Sequence, residues 1–103
     1  MRRGLTVLDR NWRCPQGEID LVLRDGTETV FVEVKTRSSV AFGHPLEAIT
    51  AAKLARLRRL AGAWCVAHPQ LAGEGTRRIR IDAVAVIAPR GLPAVVEHLE
   101  RVF

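Results

Sequence analysis

Asp20 and the run Glu33-Val34-Lys35 are the residues of this sequence best equipped to do chemistry. Carboxylates are hard oxygen ligands. Two of them, with a backbone carbonyl such as that of Val34 and several waters, suit Mg2+ or Mn2+, which leave positions open for phosphate oxygens. A lysine on the same face can orient or deprotonate an attacking water, or stabilise charge developing on a scissile phosphate. Together these are the parts of metal-assisted phosphodiester hydrolysis.

The elements that must position these groups follow from local pattern. Residues 18–24 and 29–36 flank Asp25-Gly26-Thr27-Glu28, and an Asp-Gly pair between two apolar, β-branched runs predicts a hairpin. Side chains alternate across a strand, so Ile19, Leu21 and Leu23 share one face with Val30, Val32 and Val34, which is expected to be the core. Glu18, Asp20, Val22 and Arg24 fall on the other face, with Thr29, Phe31, Glu33 and Lys35. If Arg24 pairs with Thr29, Asp20 stands directly opposite Glu33; a tighter turn at Asp25-Gly26 makes the pair diagonal. Like charges so placed repel unless a cation or a proton shares the site. The same charges also suit a solvated strand face carrying a cross-strand ion pair, and the spacing alone does not separate the two.

Around the hairpin, residues 5–12 read as a first strand ended by Pro15 and Gly17. Beyond Pro45 the apolar period lengthens, with Leu54, Leu57, Leu60, Ala61 and Trp64 along one side of a helix that Thr50 caps and His68-Pro69 ends. Lys53, Arg56, Arg58 and Arg59 make this long helix basic as well as amphipathic. After a loop at residues 73–75, residues 77–88 alternate as another strand, to whose structure Asp82 is assigned. Residues 94–103 fit a short helix or a final strand equally well. An α/β fold with a mixed sheet covered by the helix is the result, in a single domain over residues 1–103.

Lysine and arginine outnumber aspartate and glutamate 16 to 11, giving a net charge of +5 that favours a polyanionic partner. Lys53, Arg56, Arg59 and Arg37 are the candidates for holding a nucleic-acid backbone, although a charged helix stripe is also an ordinary solvated face. No run approaches the roughly 18 apolar residues of a membrane span, and Met1-Arg2-Arg3-Gly4 lacks the start of a signal peptide, so a cytoplasmic protein without membrane contact is expected. Cys14 and Cys65 are too far apart for a C-x-x-C motif and read as reduced structural thiols. His44, His68 and His98 lack the spacing of metal ligands. Trp64 belongs with the helix leucines, whereas Trp12 is open to a stacking role.

Arg10-Asn11-Trp12-Arg13-Cys14, Gly17 to Val22, and Val30 to Arg37 together closely resemble the bacterial YraN family of predicted endonucleases. The likeness continues through Phe42-Gly43, Pro45-Leu46-Glu47-Ala48, Lys53, Arg56 to Arg59 and Asp82-Ala83-Val84-Ala85 to Glu97-His98. That family is similar to PD-(D/E)xK nucleases and the archaeal Holliday-junction resolvases. The resemblance implies a restriction-endonuclease-like fold of order αβββαβ. It implies Asp20 as metal-binding aspartate, Glu33 as second acidic ligand, Lys35 as catalytic lysine, and Glu18 as a motif neighbour of unassigned role. Family members carry a helix with a further acidic ligand ahead of the first strand. This sequence opens almost at that strand, so truncation, or a second chain supplying the helix, is expected.

The expected function is therefore a Mg2+- or Mn2+-dependent endonuclease acting on DNA, with a preference for branched or structured DNA resting on analogy. Two alternatives stand beside it. One is a non-catalytic nucleic-acid-binding module, and the other a homodimeric interaction domain that keeps the nuclease fold.

Overall fold

A computed structural model describes residues 4–39, 50–72 and 78–102. The expected loop at residues 73–75, together with Phe42, Gly43, His44 and residues 45–48, lies outside them. The element order is β1 (Leu5–Cys14), β2 (Gly17–Asp25), β3 (Glu28–Arg37), α1 (Ala51–Ala67), the short α2 (Pro69–Ala72), β4 (Arg78–Ile87) and β5 (Val95–Leu99). The strands form one mixed sheet in the order β1-β2-β3-β4-β5. β1, β2 and β3 are an antiparallel meander, β4 lies parallel to β3 across the α1 connection, and β5 returns antiparallel to β4. The ambiguous tail is thus a strand, because the open edge of β4 offers it main-chain partners that a helix would leave unpaired.

Local chemistry explains the element ends. Gly26, at φ 60, supplies the left-handed residue of the β2–β3 turn, and Asp25 pairs with Glu28 on either side of it. This gives the Arg24–Thr29 register, with one further pair closed toward the turn. Thr50 caps α1, its hydroxyl accepting from the Lys53 amide at 3.2 Å. His68 ends the helix ahead of Pro69, its own amide bonding to the Trp64 carbonyl at 2.9 Å. Among the described residues no helix is long and apolar enough to cross a membrane.

The hairpin buries both of its faces, which the division into a core face and a polar face does not anticipate. On one side α1 lays Leu57, Leu60, Ala61, Trp64 and Cys65 over Ile19, Val22, Phe31 and Ile81. Val22 and Phe31, placed by alternation on the polar face, are 0% and 1% exposed there. The Phe31 and Trp64 rings meet edge to face at 5.6 Å, and the Trp64 indole N–H reaches Asp9 Oδ2 at 2.9 Å, satisfying the one polar atom of a fully buried ring. On the far side Leu23, Val30, Val32 and Val84 form a second cluster, with Leu5, Leu21, Val34 and Val86 around it.

Beside that second cluster runs a charged network. Arg80 is 1% exposed and clasps Asp82, itself 0% exposed, through Nε at 2.9 Å and Nη2 at 3.0 Å. Its third nitrogen reaches Asp25 at 2.8 Å and Glu28 at 3.3 Å in the β2–β3 turn. Asp82 also receives the Arg101 amide at 3.1 Å and contacts His98 Nε2 at 2.7 Å. Among the described residues no buried side-chain nitrogen or oxygen is left without a partner, so the buried charges meet the condition under which they are tolerated.

Candidate metal and phosphate site

Asp20 owes its position to an irregularity shared by β1 and β2. Arg10 pairs with Leu21 and Trp12 with Ile19. Leu21 lies with the far-side cluster, yet Ile19 and Trp12 pack with the α1 cluster. Residues two apart on a regular strand share a face, so both strands roll over at the residues in between, Asn11 and Asp20. Asn11 carries the distortion in its backbone at φ 50, a left-handed conformation that asparagine tolerates better than other non-glycine residues.

The β2–β3 ladder stops at Leu21–Val32 as a result. The expected cross-strand pair of Asp20 with Glu33 does not form. Asp20 leaves the ladder and its Oδ2 accepts from the Val34 amide at 2.8 Å, taking over as acceptor for a donor that β2 no longer serves. Glu33 and Lys35 stay on a regularly paired strand, in register with Ala83 and Ala85 of β4. By alternation they share the face of Phe31, the side on which α1 lies. Lys35 Nζ is 2.8 Å from Glu33 Oε1, and their side chains are only 23% and 13% exposed.

The three groups act on one another through space. Burial pushes the Asp20 carboxyl above the ordinary aspartate range. The negative charges of Glu33 and Glu18 push the same way, against the Val34 hydrogen bond and the weaker pull of Lys35. Part of the repulsion that would call for a cation is thus eased by the chain itself, through the Val34 amide and the Lys35 ammonium. Among the described residues no three histidine, cysteine, aspartate or glutamate side chains gather into a metal cage. An ion here would rest on Asp20, Glu33 and main-chain oxygen such as that of Val34, keeping open positions as Mg2+ does.

The other expected residues are spread around this centre. Glu18 binds Arg13 Nε at 2.6 Å on the exposed end of the β1–β2 ribbon, and its charge reaches Asp20. Arg37, at the end of β3, is exposed and donates to the Thr36 carbonyl at 3.3 Å. On α1, Arg56 and Arg59 are exposed and Lys53 is half-buried. They lie on the Glu33–Lys35 side of the sheet without an ion pair to it among the described residues. Trp12 is half-buried against the α1 cluster, edge-on to His68 at 5.8 Å, and His68 stacks on Trp64 at 4.6 Å.

Residues 1–86 match the family described as "Uncharacterised protein family UPF0102". The chain belongs to the UPF0102 family. Among curated relatives, the UPF0102 protein of Beutenbergia cavernae is 62% identical over 99 residues, covering 96% of this chain and 80% of the relative. That of Kineococcus radiotolerans is 58% identical over 99 residues, covering 96% and 79%. That of Clavibacter michiganensis subsp. michiganensis is 57% identical over 89 residues, covering 86% and 72%. This is the YraN family that the sequence resembles.

In this UPF0102 protein, Asn11 is the site residue that pattern reading passed over, named there only as part of a motif. The available signal was an asparagine in the middle of a strand, at a place where a left-handed residue would invert the alternation. Asn11→Gly is expected to keep native stability, since glycine adopts this conformation freely. Asn11→Val is expected to cost about 1–2 kcal/mol and to weaken any metal binding that depends on Asp20. Urea unfolding of the two variants measures the difference, and a valine variant as stable as the native chain would show that the left-handed residue places nothing.

Proposed function

We propose that this UPF0102 protein is a metal-dependent deoxyribonuclease with a restriction-endonuclease-like fold and a basic, DNA-facing α1. The observation that supports it most is the Asp20 carboxylate, lifted off its own ladder onto the Val34 amide beside the Glu33–Lys35 pair. A carboxylate needed only for solubility gains nothing from half-burial next to two other acids, whereas a ligand group must be held in such a place. In this reading Asp20, Glu33 and the Val34 carbonyl hold Mg2+ or Mn2+. When bound, the ion supplies Lewis-acid polarisation of the scissile phosphate and a more acidic water. Glu33 fixes Lys35, whose ammonium orients the attacking water or meets the charge that develops on the phosphate. Lys53, Arg56, Arg59 and Arg37 line the approach for the DNA backbone, and branched or structured DNA is the proposed substrate.

Mn2+ titration followed by electron paramagnetic resonance tests the centre without a substrate. One ion per chain is expected, and Asp20→Asn should weaken it by more than about 100-fold, since loss of a supporting outer-shell group alone costs 10–100-fold. Asparagine still accepts from the Val34 amide, so the fold should survive. Because Asp20 titrates above the ordinary range, its proton competes with the ion to higher pH than usual. Apparent affinity should therefore be full only above that raised value and fall as pH drops through it. Absence of Mn2+ binding at millimolar concentration would overturn the nuclease reading, and salt-sensitive DNA binding in its place would favour a non-catalytic binding module.

A further inference from the structure

Asp20 borders a second space besides the α1 side. Val7, Arg10, Asn11, Asp20, Leu21 and Val34 line an open cleft of about 620 Å³. Arg10, Leu21 and Val32 lie abreast on three neighbouring strands, and Val32 and Leu21 belong to the far-side cluster. The cleft therefore opens on the side of the sheet away from Glu33 and Lys35. Asp20 touches both sides because the β2–β3 ladder stops just short of it.

Within this cleft Arg10 is exposed, and its guanidinium makes no ion pair with another described residue. Arg10 and Asp20 line one wall yet are not bonded to each other. Asp20 Oδ2 is taken by the Val34 amide, and the charges that move its titration are those of Glu33, Glu18 and Lys35. Other arginines nearby are committed, Arg13 to Glu18 and Arg24 to the Leu71 carbonyl. A planar fork that no described residue engages, beside an acidic site in a chain of net charge +5, suits an anion with two oxygens to offer. The roll-over at Asn11 is what turns Arg10 to the cleft while Trp12 goes to the core.

We propose that Arg10 binds a backbone phosphate of a nucleic-acid strand that lies in this cleft and passes Asp20 at the boundary between the two faces of the sheet. Val7, Leu21 and Val34 form the apolar floor under the sugar next to that phosphate. The proposal rests on the nucleic-acid half of the function proposed above. It gives the strand a grip on the face opposite the Glu33–Lys35 pair, next to the place where β2 and β3 part.

The test is fluorescence anisotropy of a labelled DNA duplex in EDTA over a series of salt concentrations, with native protein, Arg10→Ala and Arg10→Lys. Arg10→Ala should weaken binding and lower the slope of log affinity against log salt by about 0.9, the loss of one phosphate contact. Arg10→Lys should retain the slope and lose part of the affinity, because a point charge replaces a fork. Mn2+ binding should be unchanged in both variants, and thermal unfolding should match the native chain since Arg10 is exposed. An unaltered slope and affinity in Arg10→Ala would overturn the phosphate site whatever the metal result. Failure of the native protein to bind DNA at all would overturn it as well. Loss of Mn2+ binding in the native protein, with the Arg10 effect intact, would strike the nuclease reading and leave the phosphate site standing.

Discussion

Arg80→Met is expected to destabilise the protein by about 3–5 kcal/mol, the cost of breaking a buried pair by removing one partner. Asp82 would be left at 0% exposure without the two guanidinium bonds that now hold it at 2.9 and 3.0 Å. Asp25 and Glu28, drawn to the third nitrogen at 2.8 and 3.3 Å, would face Asp82 as like charges. Arg101 Nη2 bonds to Glu28 at 2.6 Å and its amide to Asp82 at 3.1 Å, so the C-terminal segment should loosen with the turn. Arg80→Lys should lose less, because it keeps the charge while giving up the fork. Urea unfolding measures all of these. Should Arg80→Met not fold, the Arg80→Met/Asp82→Leu double variant, which removes the stranded charge, is expected to be more stable than the single one. A single variant within about 1 kcal/mol of the native chain would mean the network contributes little.

The second large effect follows from the proposed nuclease activity. Lys35→Ala is expected to lower metal-dependent cleavage of DNA by about 10²–10³-fold, the usual cost of removing one group that stabilises transition-state charge. It should leave Mn2+ binding in place, because Glu33 loses its 2.8 Å partner and becomes freer to act as a ligand. Asp20→Asn should abolish both cleavage and high-affinity metal binding. The contrast separates a residue that serves the reaction from one that holds the ion, and a lysine needed only for folding would not produce it. Assays on duplex, flap and four-way DNA provide the readout. Native rates in Lys35→Ala would exclude the lysine from the chemistry, and a native protein inert on all three substrates would count against nuclease activity.

Much of this protein is determined by its sequence alone. The Asp25-Gly26 signal places the hairpin, leaving the structure to choose the Arg24–Thr29 register from the two the turn allows, and Thr50 and Pro69 bracket α1. These are short-range effects, since a turn residue, a capping hydroxyl and a proline act on their own neighbours. The acids and the lysine are equally plain, because their types and spacing survive any folding.

Tertiary structure alone decided how those groups meet. Alternation cannot reveal that β1 and β2 roll over together at Asn11 and Asp20, because Ile19 and Leu21 are apolar whichever face they take. Nor can it show that Val22 and Phe31 lie beneath a helix, or that the tail completes a sheet edge. The Arg80 network joins residues 52 and 55 positions apart, a distance at which periodicity carries no signal. The turn, the strand and the tail come together only once the chain has closed on itself. Burial then fixes the partners, because a charge removed from water must find its counterion wherever the fold has brought one.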